Sequence, residues 1–516
     1  MMENKQFDLA DDSVVVVIGS GAGGGTLSNE LAQKGIRVVC LEAGNHMSLA
    51  DVENDPVLMN QRMGWLDKRL GSSTWNCKTV GGTTMRWSGI AARFAEHEFR
   101  ARTTYGELEG TSLIDWPINL QELEPYYARA EDKMSVSGTN GQPASFPHSN
   151  YKVMAAGARK IGYTHITHQG MAINSAPRDG RPPCMQIGFC FSGCKIGAKW
   201  STLYTEIPKA QATGNFELRA GCRVLQVLHN NAGKVTGVIY ADAEGNIQEQ
   251  KARAVAVAGN AVETARLLQH SASALFPQGL GNHSGHLGRN YMRHVMTFAM
   301  GVMPGEVNFH RGARQTGHIE DELHHDASRG FAGGYYIEPI ASDPVTLRSI
   351  GKGIAAPWGE EAAEMMENYK YLAGLNISGE DPPQLSNAIE LHATEKDQFG
   401  VPIPMVKYNL HDNSIAMQRH GNRQMKRILE AVGAKKFWSS TGEGAGSHNM
   451  GVARMSAKPK DGVTNRWGQV HEIPNLFVSD GSLFSTSAAA NPTLTIVALA
   501  IRQAEHIAER MTRREL

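Results

Sequence analysis

A chain of 516 residues is too long for one small core, and at roughly 150 residues per lobe it implies two or three. Lys plus Arg and Asp plus Glu each total 51, so no net charge directs it to nucleic acid or to an anionic membrane. Glycine reaches 55 residues while apolar content stays at 41%, which suits a turn-rich α/β enzyme and excludes a disordered chain.

The opening stretch before Ser13 is polar and acidic, without the apolar region of a secretory signal, and no apolar run approaches the ~20 residues of a bilayer span. The apolar run from Val14 to Ile18 is followed at once by Gly19, Gly21 and Gly24 in G-x-G-x-x-G spacing, then by a helical segment and a second apolar run ending at Glu42. This is a β-α-β unit for a dinucleotide. One glycine makes the tight turn, one lets the backbone approach a pyrophosphate, and one lets helix and strand pack closely. The phosphates then sit on a helix N-terminus. Glu42 is placed to accept a hydrogen bond from a ribose 2′-hydroxyl and would repel a 2′-phosphate. NAD and FAD both satisfy this pattern.

Further along, Val80-Gly81-Gly82-Thr83-Thr84 is a tight turn whose small donors suit contact with something flat or charged. The spacing of Leu120, Leu123, Tyr126, Tyr127 and Ala130 predicts an amphipathic helix, and residues 137–150 read as a linker or surface loop. A helix is expected around Thr202 to Ala212. Between Cys222 and Ala258, apolar runs divided by Asn230-Asn231-Ala232-Gly233 and Glu244-Gly245-Asn246 predict an antiparallel meander. Its last strand, Ala254 to Ala258, meets Gly259 and a helix, as if the chain re-enters the nucleotide lobe. The pattern from His294 to Lys435 is less regular. His324 and His325 beside Asp326 read as a solvated loop rather than a metal site. Asn387 to His392 and Pro404 to Leu410 alternate like strands of a second lobe's sheet. A helix from Ser414 to Val432 ends at Gly433. The chain closes with a short strand, Leu476 to Ser479, and an apolar helix with Pro492 just inside its start.

Two polar breaks near the C-terminus carry chemistry. His448 could take the proton of an alcohol, and Asn491 could hydrogen-bond its oxygen and fix the carbinol carbon for hydride transfer. The plainer reading makes Asn491 a helix N-cap and His448 one of 20 histidines.

Together these segments resemble the glucose-methanol-choline (GMC) family of FAD oxidoreductases. The likeness rests on the N-terminal fingerprint with Glu42-Ala43-Gly44, on Val80 to Thr84, on Ala258 to Thr264, on Leu287-Gly288-Arg289-Asn290, and on the His448 and Asn491 segments. It implies a Rossmann-like FAD-binding domain with an inserted α+β substrate domain. The first would comprise residues 1–99, 204–301 and 447–516, and the second residues 100–203 and 302–446. It also implies His448 as catalytic base and Asn491 as its partner. Gly82, Thr83 and Thr84 would lie along the flavin, Val224 would contact the adenine part through its backbone, and Asp480 would sit at the cofactor. Val452, Ser456, Ala265 and Arg293 depart from residues frequent in relatives, which weakens any transfer of substrate identity.

Of six cysteines, Cys184, Cys190 and Cys194 cluster at C-x5-C-x3-C spacing, more like a metal or redox site than a disulfide framework. Three soft thiolates suit an iron–sulfur centre; a structural zinc completed by a histidine, or thiols that merely pack, are the alternatives. With Asp179 to Pro183 before them, in a loop spanning 179–200, they resemble bacterial FAD-dependent sugar dehydrogenases. That likeness implies a 3Fe-4S cluster and glucoside C3 or glucose C1 as the oxidised carbon. It also implies a small companion subunit, a cytochrome c acceptor, and export to the periplasm with the companion, the cytoplasm being the alternative. A GMC oxidase that uses oxygen without a cluster, and a non-catalytic sugar-binding or assembly subunit, are the competing readings.

Overall fold

The computed structural model describes residues 6–64, 72, 74–350, 358–442 and 446–516. The first five residues of the acidic opening stretch lie outside them.

The expected β-α-β unit is present as strand Val15–Ile18, helix Ala22–Gln33 and strand Val38–Glu42. Its strands form the centre of a five-stranded parallel sheet in the order 476–478, 254–257, 15–18, 38–42, 216–220. Val15–Ile18, Val38–Glu42 and Ala254–Val257 are buried throughout, because one face packs through Val15, Val17 and Val38 on helices Ala22–Gln33 and Thr493–Thr512 and the other through Val16, Val39 and Val255 on the meander's Val227 and Val238, so each reads as an unbroken apolar run. Ala254–Val257 has left the meander and joined this sheet, so the chain does re-enter the nucleotide lobe. The C-terminal strand and the helix Thr493–Thr512 complete the lobe from the far end of the sequence. That helix begins one residue after Pro492, which occupies the cap position rather than the first turn.

The glycines are fixed by close packing. Gly19 has φ +99°, and a Cβ there would lie 2.4 Å from the Ala258 carbonyl oxygen; one on Gly24 would lie 2.0 Å from the Gly19 carbonyl oxygen.

A second, six-stranded antiparallel sheet runs in the order 437–439, 295–302, 372–379, 335–339, 317–319, 166–168. Its long strand Val295–Val302 starts within the segment expected in the nucleotide lobe, on the near side of the boundary at 301. Helices Ser149–Lys160 and Asp412–Ala431 back this sheet through Met154, Ala158, Met417, Met425 and Ile428. The meander is three-stranded: Arg223–His229, Val235–Ala241 and Ile247–Lys251.

Two expectations are corrected. The alternating segments after Asn387 form a separate two-stranded ladder, Ala388–Lys396 with Pro402–Lys407, and not part of the second lobe's large sheet. It is held to the nucleotide side by Arg266, whose Nε donates to the Pro402 carbonyl (2.7 Å) and whose Nη2 pairs with Asp397 (2.6 Å). The amphipathic helix Leu120–Lys133 also docks on the nucleotide lobe: the Tyr127 and Thr495 hydroxyls lie 2.8 Å apart, and Arg129 pairs with Glu30.

Candidate active site

A cavity of about 870 Å³ runs along the parallel sheet's C-terminal edge and ends against the antiparallel sheet. Crevices beyond the carboxyl ends of parallel strands are where such folds bind ligands. Its wall includes Gly19, Gly21, Glu42, Gly82, Thr83, Thr84, Val224, His448, Asp480 and Asn491. Gly24 is not on that wall; its role is packing within the turn.

At the nucleotide end, helix Ala22–Gln33 starts at Gly21 with no side-chain cap and no acidic residue in its first turn. Its free N–H groups face the cavity and suit a pyrophosphate. A Cβ on Gly21 would meet nothing closer than the Gly82 Cα at 4.0 Å, so this face of the turn is open. Glu42 Oε2 accepts from the Ser20 N–H (2.9 Å) and Oγ (2.7 Å), and Oε1 accepts from the Gly44 N–H (2.8 Å). Three of the roughly four acceptor sites of the carboxylate are thus used, leaving one on Oε1 for a ribose hydroxyl. Burial pushes this carboxyl's pKa up, and the Ser20 and Gly44 hydrogen bonds oppose that shift. Val224 lies at a register irregularity of its strand on the same end of the cavity.

Midway, Gly82–Met85 forms one turn of 3-10 helix after the left-handed Gly81. Ser20 Oγ accepts from the Gly81 N–H (2.9 Å), tying this turn to the glycine fingerprint. Thr84 bonds the Gly81 carbonyl and Ser201, and Thr83 Oγ1 accepts from the Cys77 N–H. Asp480 accepts from the Ser482 N–H (2.8 Å) and Thr264 Oγ1 (2.6 Å), joining the two returning segments. Helix Thr493–Thr512 also lacks a side-chain cap, and Pro492, Thr493 and Ile496 line the cavity, so a second helix N-terminus points into it. A dinucleotide with a planar ring system fits this cradle.

At the far end the structure brings His448 and Asn491 together: Asn491 Nδ2 lies 3.4 Å from His448 Nε2. The buried Asn491 Oδ1 has no hydrogen-bond partner among the described residues. Sequence reasoning missed a third member, His294, whose Nδ1 lies 2.8 Å from His448 Nδ1. Hydrogen-bond accounting assigns the protons. His294 Nε2 faces the Ser487 carbonyl (3.2 Å), which only accepts, so Nε2 carries the hydrogen and Nδ1 is an acceptor. His448 must then donate from Nδ1, which leaves Nε2 as an acceptor on the cavity wall, with the Asn491 Nδ2 as its donor at 3.4 Å. Burial, with His294 alongside, holds the His448 pKa well below 6.5, and burial lowers that of His294 to about 4. Both rings are therefore neutral near pH 7, and His448 is ready to take a proton.

His448, Val452 and Ala488 all have positive φ, at +57°, +67° and +55°. Left-handed backbone at such residues costs about 1–3 kcal/mol each and concentrates where side chains must be aimed. No sequence signal marked His294 beyond a histidine entering a buried strand.

The cavity wall opposite the nucleotide lobe mixes apolar Met296, Phe298 and Ile340 with polar Arg314, Gln315, Ser342 and Asn376. Gln315 and Asn376 donate to the buried Glu338 (2.9 and 3.0 Å), which fixes their amides.

Cys184, Cys190 and Cys194 are free thiols outside the cavity wall, grouped against Ile90, Met171 and Ala313. Phe191, between them, does line the cavity, and Arg86 Nε donates to its carbonyl (2.7 Å). Burial pushes the Cys184 thiol up to about 12, with Cys190 and Cys194 adding to the effect, and burial also raises Cys190. Buried cations surround the loop. Lys199 Nζ donates to the carbonyls of Cys190, Trp87 and Met85, Arg181 Nη1 to those of Gly197 and Ala198, and Arg314 lies 3.7 Å over the Phe191 ring. Among the described residues none of these three cations is in a salt bridge. Asp326 does not join His324 and His325; it caps a short turn through the Ser328 N–H.

Residues 71–296 match the N-terminal and residues 383–500 the C-terminal family profile described as GMC oxidoreductase. The chain is 33% identical to 2-methyl-1,2-propanediol dehydrogenase of Mycolicibacterium austroafricanum, over 98% of this chain and 96% of that protein. It is 26% identical to the fructose dehydrogenase large subunit of Gluconobacter japonicus, over 96% and 97%. A crystal structure of formate oxidase superposes with a TM-score of 0.69, at 14% identity, covering 98% of this chain and 100% of that one.

Proposed function

Because this chain belongs to the GMC oxidoreductase family of FAD enzymes acting on CH–OH groups, we propose that it oxidises a sugar hydroxyl, at glucoside C3 or glucose C1, and passes the electrons to an external acceptor. Bound FAD would supply the acceptor for the hydride that leaves the carbinol carbon. His448 Nε2 takes the hydroxyl proton, so the alcohol leaves as a carbonyl, having given up two electrons and two hydrogens. Asn491 orients the oxygen, and its unpartnered Oδ1 offers an acceptor to the substrate. The uncapped N-termini of helices Ala22–Gln33 and Thr493–Thr512, both on the cavity wall, would offset negative charge on the cofactor. The observation that carries this reading is the buried His448 on the cavity wall, with Nδ1 2.8 Å from His294 and Nε2 beside Asn491.

Support for a sugar comes from the fixed amides of Gln315 and Asn376, with Ser342, on the opposing wall, and from the fructose dehydrogenase relative. The 33% identical relative, named for a small diol, favours a second reading in which the substrate is a vicinal diol. Anaerobic mixing with glucose, methyl glucoside, disaccharides and 2-methyl-1,2-propanediol separates them: the substrate bleaches the flavin. No bleaching by any CH–OH compound would leave a binding or assembly subunit.

For the electron route we propose a 3Fe-4S cluster on Cys184, Cys190 and Cys194. Support lies in the uncompensated charge of Lys199, Arg181 and Arg314, which suits an anionic cluster held by three thiolates, and in Phe191, which spans from this loop to the cavity. A small companion subunit, a cytochrome c acceptor and a periplasmic site follow from the same proposal. Stoichiometric iron and acid-labile sulfide support it. Their absence, with rapid reoxidation by oxygen, would favour an oxidase.

A further inference from the structure

Away from the cavity, the turn around Glu96–Arg100 brings His97 and Glu98 against Glu380, which follows the strand Leu372–Gly379. One ligand atom from each lies within 4.8 Å of the other two. Glu98 is fully buried and Glu380 nearly so. Among the described residues their oxygens are met only by neutral donors. Glu98 accepts from the Ala489 N–H (2.6 Å) and the Ala95 N–H (2.7 Å), and Glu380 from Tyr105 (2.7 and 2.9 Å) and the Gly334 N–H (2.9 Å). Among the described residues neither carboxylate has an ion-pair partner. Two carboxylates at this separation cannot both stay charged without a cation or a shared proton between them.

His97 decides between these. It hydrogen-bonds the Leu323 backbone, while its Nε2 is buried and has no partner among the described residues. The lone-pair nitrogen is therefore Nε2, buried in a ring that lies beside the two carboxylates. A ring nitrogen left free while the other is anchored on a backbone carbonyl is the arrangement of a metal-ligating histidine. A shared proton would leave that nitrogen unused.

We propose that His97, Glu98 and Glu380 form a binding site for a divalent cation of the zinc type. One imidazole and two carboxylates suit zinc or manganese better than calcium or magnesium. Three protein ligands leave a fourth tetrahedral position for water, reached past the partly exposed His97. The site lies directly behind the loop that presents Asn491, because Glu98 holds the Ala489 N–H. Its role is to clamp that loop, and it takes no part in the oxidation.

The test uses the FAD-loaded enzyme, freed of metal with a chelator and then dialysed against Zn²⁺. Wild type retains one zinc per chain and melts at a higher temperature. His97→Gln and Glu380→Gln keep their FAD but bind zinc at least about tenfold more weakly, since loss of even an outer-shell partner costs that much, and zinc does not raise their melting temperatures. X-ray absorption at the zinc edge of the wild type shows only nitrogen and oxygen neighbours. No retained zinc, equal retention by both variants, or a sulfur shell pointing to the cysteine loop would each overturn the site.

Discussion

The Nε2 atom of His448 takes its protonation state from a neighbour. The run of donors from His448 through His294 to the Ser487 carbonyl leaves His448 Nε2 as an acceptor beside Asn491 at the far end of the cavity. Replacing His448 by Ala should slow flavin reduction by about 10²- to 10⁴-fold with FAD still bound, as expected for loss of a general base. His294→Leu should slow it less, by about 10- to 100-fold, because the base survives but its tautomer is no longer fixed. The pH profile distinguishes this positioning role from a packing defect. In the proposed role His448 acts unprotonated, and burial with His294 alongside holds its pKa well below 6.5, so wild-type flavin reduction should stay flat as pH falls to about 6.5 and decline only below it. Since His294 is one cause of that lowering, His294→Leu should move the acid limb to higher pH. An unmoved limb would show that His294 only packs.

At the scale of elements, the parallel sheet was legible because its strands are buried on both faces and its glycines sit at fixed offsets. Gly24→Ala tests that reading: the added methyl would sit 2.0 Å from the Gly19 carbonyl oxygen. Overpacking of this kind costs about 1–3 kcal/mol or more, and the turn it displaces is the one proposed to cradle the cofactor's phosphates. The variant should melt lower and be purified largely without yellow colour. A stable, fully flavinated Gly24→Ala would contradict the assigned turn. The antiparallel sheet was far less legible. Leu372–Gly379 is buried at every position and carries two glycines, an asparagine and a serine, so neither alternation nor apolarity marks it. Asn376 and Ser378 sit there because they bond Glu338, His294 and Ala489, partners from distant parts of the chain. The ladder after Ala388 did alternate, but alternation reports a half-buried strand and not which sheet it joins.

For the whole molecule, the cavity lies where a nucleotide lobe built from both ends of the chain meets the antiparallel sheet. His448 and Asn491 were visible in the sequence as polar breaks, whereas His294 arrives from the opposite sheet, and only folding supplies it. Among the described residues no helix is long and apolar enough to cross a membrane. The cysteine loop borders the same cavity through Phe191, so Cys190→Ser should remove iron and acid-labile sulfide while leaving flavin reduction by substrate intact and slowing only transfer to a one-electron acceptor. Equal iron in both proteins would contradict the cluster. The most direct test of the central claim is anaerobic stopped-flow absorbance of the FAD-loaded enzyme mixed with methyl glucoside, glucose and 2-methyl-1,2-propanediol. The account predicts that one of these bleaches the flavin in wild type and does so at least about 100-fold more slowly in His448→Ala; bleaching at the wild-type rate in that variant would contradict it.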